Sequence, residues 1–338
     1  MATFPNNRCR PPGWAAAWVV LFVISGIASP MLVMQVNFSY SPPSKTLWML
    51  YPLYLGNMLA GSFGQRVSRS NWLDGSRLFG FDFGGQMLCN LGLVAIGPPL
   101  YAIFYKSVTV FTGLISVCCL PPASRPTRLQ WIAMIIITAG LCMQGADALM
   151  TLSHQQLLGA LLVITGCLFY AGGAVASEFY LGARREALSP LQAAWVLGVE
   201  GFTMCVLWAL CTVREVNYPL GFWMLFAALV LTNACHQATW FLLVGRIGAC
   251  ATAVLKAFQS VCLFLSAGVL FCSRDKLECL TWEKLFSFAV VSSGVMLYAF
   301  PSRHGDEAAV KNQERVPLVG DRSGAGALNA LSAESARL

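Results

Sequence analysis

Charged residues are scarce in this chain of 338 residues: only 11% are Asp, Glu, Lys or Arg, whereas 57% are hydrophobic. A water-soluble domain usually carries about 25% charged residues. Too few polar groups remain to cover a water-exposed surface, which excludes a soluble globular enzyme. The net charge of +7 does not indicate nucleic-acid binding, because that function needs a basic face on a soluble module.

Histidine is also rare, and its distribution argues against a metal centre. The three histidines are His154, His236 and His304, which are too scattered for a ligand set built on a short motif. The glycine-rich pattern of a phosphate-binding loop is absent as well. The sequence therefore predicts neither an enzyme nor a bound cofactor or metal.

Long apolar runs are what the sequence has instead. A helix needs about 17–25 apolar residues to cross a bilayer, and ten runs of about that length lie between the charges and the Pro/Gly clusters. They are continuously apolar rather than alternating, which predicts helices and not the strands of an outer-membrane barrel. The predicted spans are 14–36, 46–65, 81–98, 100–120, 129–147, 155–178, 190–212, 219–244, 247–271 and 283–300.

The spans predict an all-α polytopic membrane protein made of two halves, 14–147 and 148–300. Each half has five helices, and this odd number makes the halves inverted repeats, an arrangement common in secondary transporters. Residues 1–13 are predicted to be a cytosolic N-terminus. Residues 301–338 lack apolar periodicity and carry as many acids as bases, which predicts a disordered cytosolic tail.

Loop charges predict the orientation, because Lys and Arg of short loops accumulate on the cytosolic side. With the N-terminus in the cytosol, ten of these residues are cytosolic and five are not. A glycosylation sequon, Asn37-Phe38-Ser39, then lies in the first non-cytosolic loop. Cys272 and Cys279 share the last such loop, where a disulfide is an open alternative to free thiols. Both termini are predicted to be cytosolic, and an endomembrane (Golgi, ER or endolysosomal) is favoured.

Two lysines lie inside the predicted spans, at corresponding places of the two halves. Lys106 precedes Ser116 by ten residues in helix 4, and Lys256 precedes Ser266 by ten residues in helix 9. A charge at membrane depth is costly and normally faces the bundle interior or water. We expect both ammonium groups to bind an anionic substrate. Snorkelling towards the interface and an ion pair with Glu200 remain alternatives.

Polar side chains at helical spacing complete the predicted site. Helices 3 and 8 each carry two amides at i, i+4, which places each pair on one helix face. On helix 8 a His and a Trp extend the pair into a stripe that can line a cavity or hold helices together. Glu200 is either a proton carrier or substrate contact, or a structural partner. By contrast, Asp82, Asp147 and Glu178 lie at predicted helix ends and are expected to be interfacial. The predicted substrate-binding residues are Gln86, Asn90, Lys106, Glu200, Asn233, His236, Gln237, Trp240 and Lys256.

The ten-helix layout resembles the drug/metabolite transporter superfamily and, within it, solute carrier family 35, especially its F-type members. The stretches that carry the likeness are SVTVFTGLISVCCL (107–120), SPLQAAWVLGVEGF (189–202) and EFYL (178–181). The stretch TAVLK (252–256) keeps only the Ala and the Lys of the GALNK pattern of GDP-mannose carriers, which argues against that substrate. The lysine of this stretch, Lys256, resembles the nucleotide-sugar branch more than the F-type pattern. The resemblance implies transport of an organic solute.

These observations predict a secondary transporter that moves an anionic, nucleotide-sugar-like solute by alternating access. The expected partners are that small molecule and the lipid bilayer, with a homodimer left open and no nucleic acid. A divalent-cation permease is one alternative, although a cation path favours rings of carboxylates and the spans contain one mid-span acid against two lysines. A scaffold or receptor without transport activity is the other alternative.

Overall fold

The computed structural model describes residues 13–40, 47–96, 101, 104–143, 154–182, 188–212, 218–274 and 279–299. All regular structure in these ranges is helical, which confirms the all-α fold class. Its ten α-helices are α1 (Gly13–Tyr40), α2 (Leu50–Ser62), α3 (Arg69–Ile96), α4 (Ser107–Cys119), α5 (Arg128–Cys142), α6 (His154–Gly182), α7 (Pro190–Thr212), α8 (Leu220–Ile247), α9 (Ala249–Phe271) and α10 (Trp282–Ala299). Each overlaps one predicted apolar run. The predicted tail, most of the N-terminal segment and Asp147 lie outside the described residues.

Several helices fit a multi-pass integral membrane protein. In the described part of the chain six helices, α1, α3, α6, α7, α8 and α9, are long and apolar enough to cross a bilayer. The helices α4 and α5 are apolar but shorter, with 13 and 15 residues. Large apolar side chains face outward, as at Val94, Leu210 and Val269, which are 73%, 78% and 73% exposed. Such a surface is costly in water and suits hydrocarbon. That all ten helices span the membrane remains a prediction.

The start of α3 differs from its prediction, and this moves Asp82 into the helix interior. The span was expected from residue 81, but α3 begins at Arg69. The Ser68 hydroxyl accepts the Asn71 N–H at 3.2 Å and caps the first turn. Asn71 is buried, and its side chain donates to Gln192 of α7 at 3.2 Å. Polar pairing with α7 thus supports a helical segment that lacks an apolar signal. Asp82 was expected at a helix end, and this expectation was wrong because Asp82 lies in the interior of α3.

The helical hydrogen-bonding pattern is interrupted at Lys106, whose dihedral angles of φ −69° and ψ −17° stay helical. The predicted span placed this lysine about six residues inside a continuous helix. Phe104 and Tyr105 are helical, Lys106 is in a turn, and α4 begins at Ser107. The Ser107 hydroxyl donates to the Phe104 carbonyl at 2.7 Å and ties the two segments together. Lys106 is thus positioned by the turn that starts α4.

Helix contacts repeat between the groups α1–α5 and α6–α10. If α1 is exchanged with α6, α2 with α7, and so on to α5 with α10, most contacts map onto another observed contact. The contacts α3–α6 and α8–α1 correspond in this way, as do α2–α8 with α7–α3, α4–α6 with α9–α1, and α4–α5 with α9–α10. The contacts α2–α7, α4–α9 and α5–α10 map onto themselves. Contacts of α8 with α6, α7 and α9, and of α9 with α5 and α6, lack a counterpart of similar extent in the described residues. The exchange is therefore approximate.

Glycines let α2 and α7 approach closely. A Cβ atom on Gly61 of α2 would overlap the backbone of Trp195, and one on Gly198 of α7 would overlap the backbone of Met58. Small residues at a helix–helix contact permit such close backbone approach in a membrane bundle. The contact also fixes Tyr54 of α2, which is fully buried.

A disulfide joins Cys272, which follows α9, to Cys279, which precedes α10. Their Cα atoms are 4.3 Å apart. The bond closes the loop between the last two helices. It is one of the two alternatives that the sequence left open.

We expect the double variant Cys272→Ser/Cys279→Ser to lose about 2 kcal/mol of unfolding free energy, because the bond restricts a short loop in the unfolded chain. Thermal unfolding of the purified protein in detergent measures the loss. The double variant Cys118→Ser/Cys119→Ser, which removes two exposed free thiols, is the matched control. Equal melting temperatures for the wild type and the Cys272/Cys279 variant would show that the bond does not contribute to stability.

Candidate functional site

A polar cavity lies among α3, α6, α8, α9 and the residues that lead into α4. It has two adjoining lobes of about 90 and 40 Å³. Both lobes are lined by Tyr105, Tyr170, Ala174, Trp240 and Lys256. Ligand pockets typically measure about 300–1,000 Å³. The two lobes together are smaller than this, so in this conformation the cavity has room only for a small solute. A nucleotide-sugar would require a more open conformation.

Lys256 projects from α9 into a cage of aromatic rings. Its Nζ lies 5.7 Å from the ring centroid of Tyr105, 5.7 Å from that of Tyr170 and 5.2 Å from that of Trp240. Ring faces attract an ammonium group through their negative quadrupole. Within the part of the chain that the structure describes, Lys256 forms no ion pair with a carboxylate. The rings therefore hold this cation in place and leave its charge available to an anion.

Lys106 faces the same cavity from the start of α4. Its Nζ lies 6.0 Å from the Tyr105 ring centroid and 5.6 Å from that of Phe264. The alternative interpretation, an ion pair of either lysine with Glu200, does not hold among the described residues. The positive charge of Lys256 acts on Lys106, so the two ammonium groups repel each other across Tyr105. An anion bound between them would relieve that repulsion.

Asp82 is a lining residue that the sequence analysis did not assign to the site. It lies in the middle of α3, and its Oδ2 accepts the Tyr54 hydroxyl at 3.0 Å. It shares the cavity with Lys256, whose charge acts on its carboxylate. The spacing to Gln86, four residues later on the same helix face, is the signal that could have found it. Tyr105 and Tyr170 were missed too, because a lone tyrosine in an apolar run carries no distinguishing pattern.

Four further predicted residues line the cavity: Gln86 on α3 and His236, Gln237 and Trp240 on α8. The His236 ring stacks on Phe22 of α1, with centroids 4.6 Å apart. Its Nδ1 lies 3.3 Å from the Phe22 carbonyl oxygen. The ring is therefore anchored to α1, while the two amides present hydrogen-bonding groups to the cavity.

Glu200 lies outside the cavity lining, at the contact between α7 and α3. Its Oε1 accepts the Trp72 indole N–H at 3.1 Å and the Ser76 hydroxyl. These two donors on neighbouring turns of α3 satisfy one carboxylate oxygen. The placement matches the structural-partner alternative for this residue.

The two remaining predicted amides also make packing contacts. Asn233 is buried, and its Oδ1 accepts the Ser29 hydroxyl of α1 at 3.0 Å. The side chain of Asn90 donates to the Gln86 carbonyl, one turn earlier on its own helix, at 2.7 Å. Neither residue is part of the cavity lining. Each i, i+4 amide pair is thus divided between one cavity residue and one residue outside it.

Glu178 anchors the beginning of α9. Its Oε2 accepts the Ala249 N–H at 2.7 Å, beside Gly248, which has a φ of 88°. A carboxylate at a helix N-terminus satisfies a free N–H and opposes the helix dipole. A side chain at residue 248 would be strained in this conformation. The sharp connection from α8 to α9, and with it the position of Lys256 two turns later, depends on this contact.

No protein-family model matches the sequence, and no curated protein matches it. A solved structure described as "Crystal structure of protein" superposes with a TM-score of 0.67 at 15% identity, covering 84% of this chain and 98% of that chain. At this identity the similarity concerns the fold alone. It shows that the helical arrangement described above also occurs in a structure determined by experiment.

Proposed function

We propose that this protein is a secondary transporter that moves a small organic anion across a membrane by alternating access. The observation that carries the proposal is the convergence of Lys106 and Lys256 on one ring, Tyr105, inside a cavity of a helical membrane protein. Neither lysine has a carboxylate partner among the described residues. A desolvated cation that lacks a carboxylate partner can bind an anion through charge-assisted hydrogen bonds.

The charge of the cavity favours an anion over a divalent cation. Among the lining residues that the structure describes, two ammonium groups stand against one carboxylate, Asp82, which gives a formal charge of +1. A cation would be repelled by this site, whereas an anion is attracted and would be oriented by Gln86 and Gln237. The aromatic rings of Tyr170 and Trp240 provide faces on which a planar group of the solute can stack.

The approximate exchange of helix contacts supports two five-helix repeats, which we propose to be inverted and to cross the membrane ten times. In such transporters the substrate binds near the bilayer midplane, between the repeats. Lys106 directly precedes α4, and Lys256 belongs to α9. These two helices correspond when the two groups of five are exchanged, so the two lysines fit this scheme. The likeness to drug/metabolite transporters and to solute carrier family 35 is part of the same proposal.

We further propose the orientation with both termini in the cytosol, in an endomembrane. The disulfide between Cys272 and Cys279 supports it, because disulfides persist in oxidising compartments and the loop of these residues is then non-cytosolic. The small-molecule solute and the bilayer are the proposed partners. A homodimer stays a prediction from the sequence.

Uptake into proteoliposomes tests the function. We expect saturable uptake of at least one labelled anion from a panel of nucleotide-sugars, nucleotides and small carboxylates, and faster uptake when the same unlabelled anion is inside. Empty liposomes are the control for leakage. Uptake of Mn²⁺ or choline without uptake of any anion would contradict the proposal.

A further inference from the structure

Asp82 is the one carboxylate among the described lining residues of the cavity. Within the described part of the chain its Oδ2 accepts one hydrogen bond, from the Tyr54 hydroxyl. No basic side chain lies within 4 Å of it in the described ranges, although the charge of Lys256 reaches it across the cavity. The carboxylate is therefore neither locked into an ion pair nor surrounded by donors. Because Asp82 lines the cavity, water that enters the cavity can reach its carboxylate.

The charges of the cavity distinguish between solutes of different valence. With Asp82 ionised, the two ammonium groups leave a formal charge of +1, which a monovalent anion neutralises. A divalent anion would leave a charge of −1 in a low-dielectric site, and uncompensated charge is costly at membrane depth. A proton on the Asp82 carboxylate restores neutrality for the divalent anion.

We propose that Asp82 is a proton-binding site that couples proton uptake to the binding of divalent organic anions. This inference rests on the proposed function, because it assumes that the cavity binds anions. The proton enters from water on the side where the anion binds, and it leaves with the anion on the other side. Monovalent anions bind without a proton.

Other titratable groups face Asp82 from the helices packed around it. They are Tyr54 from α2, Tyr170 from α6, His236 from α8, Lys256 from α9, and Tyr105 before α4. His236 is the one whose ordinary titration lies near neutral pH, and a positive charge there would also favour a divalent anion. The experiment must therefore separate Asp82 from His236.

Three small sulfonates make suitable probes because they differ in charge and are similar in shape. Ethanesulfonate is monovalent, ethane-1,2-disulfonate is divalent, and taurine adds an ammonium group to the monosulfonate. Their sulfonate groups stay ionised between about pH 5.5 and about pH 7.5, so a pH effect on the two anions reports protein groups. Binding to the full-length protein in nanodiscs is measured by isothermal titration at both pH values.

In the wild type we expect the affinity for the disulfonate to rise by up to about tenfold per unit decrease in pH, since one proton is taken up. The affinity for ethanesulfonate should stay within about twofold. Asp82→Asn should bind the disulfonate at both pH values as tightly as the wild type does at the lower one. The asparagine oxygen still accepts the Tyr54 hydroxyl, so folding is preserved. Asp74→Asn, on the same helix beside Arg77, is the matched control with wild-type behaviour.

Distinct results would overturn the proposal. Persistence of the pH dependence in Asp82→Asn, or its loss in His236→Gln, would exclude Asp82 as the proton site. If taurine bound the wild type more tightly than ethanesulfonate does, and Asp82→Asn lacked this preference, Asp82 would bind an ammonium group instead of a proton. Equal pH profiles for the two anions would refute the Asp82 inference alone. No binding of either anion at any pH would contradict the anion site and the proposed function.

Discussion

Lys256→Ala should lower anion uptake into proteoliposomes by about ten- to a hundredfold. A hydrogen bond to a charged group contributes about 1.5–3 kcal/mol, and each 1.4 kcal/mol corresponds to about a factor of ten. The side chain is already held by the rings of Tyr105, Tyr170 and Trp240, so little ordering is needed when the anion binds. Its loss also lowers the formal charge of the cavity from +1 to zero, which weakens the attraction of the site for an anion.

Matched variants make this prediction specific. Lys284→Ala removes a lysine at the start of α10, away from the cavity, and should transport like the wild type. Lys256→Arg keeps the charge and should retain part of the activity, although a guanidinium has a different shape. Correct folding is checked by thermal unfolding of each variant. Wild-type uptake of every tested anion by correctly folded Lys256→Ala would contradict the role of this lysine.

The second large effect concerns the contact between α2 and α7. Gly61→Ala should lower the unfolding free energy by about 3 kcal/mol, the upper part of the usual range for overpacking. The added methyl group would meet the backbone of Trp195, which cannot move aside like a flexible side chain. Gly198→Ala should have a similar effect at the backbone of Met58. Thermal or denaturant unfolding in detergent measures both losses.

Gly80→Ala is the control for intrinsic helix propensity. A Cβ atom on Gly80 of α3 would meet no atom within 4 Å. Alanine is more favourable than glycine in a helix by about 0.5–1 kcal/mol, so this variant should be as stable as the wild type or slightly more stable. If Gly61→Ala unfolded at the same temperature as Gly80→Ala, the close packing of α2 on α7 would be refuted.

The location of the helices could be predicted from the sequence because it depends on local composition. A continuous apolar run of membrane length is stable as a helix in lipid, where each backbone group must be satisfied within its own segment. Each of the ten runs accordingly overlaps one helix. The first three turns of α3 escaped detection because their stability depends on Asn71 and its partner Gln192, which are 121 residues apart.

Part of the site could also be predicted, because a charge inside an apolar run is costly and normally faces the interior of the helix bundle or a water-filled cavity. Lys106, Lys256, Gln86, Gln237 and the two rings of α8 do line one cavity. The rotational position of a helix cannot be inferred from residue type, however. Asn233 and Glu200 have the polarity of site residues, yet their side chains are directed at Ser29 and at Trp72 of neighbouring helices.

By itself the sequence determined that this protein is helical, that several of its helices fit a membrane and that two lysines need a polar environment. These properties depend on residues close together in the chain and on the cost of transferring them into hydrocarbon. The tertiary structure decided that both lysines meet at Tyr105 and that Asp82 shares the cavity with Lys256. Those positions depend on how helices more than a hundred residues apart in the sequence pack against one another, as α4 does against α9.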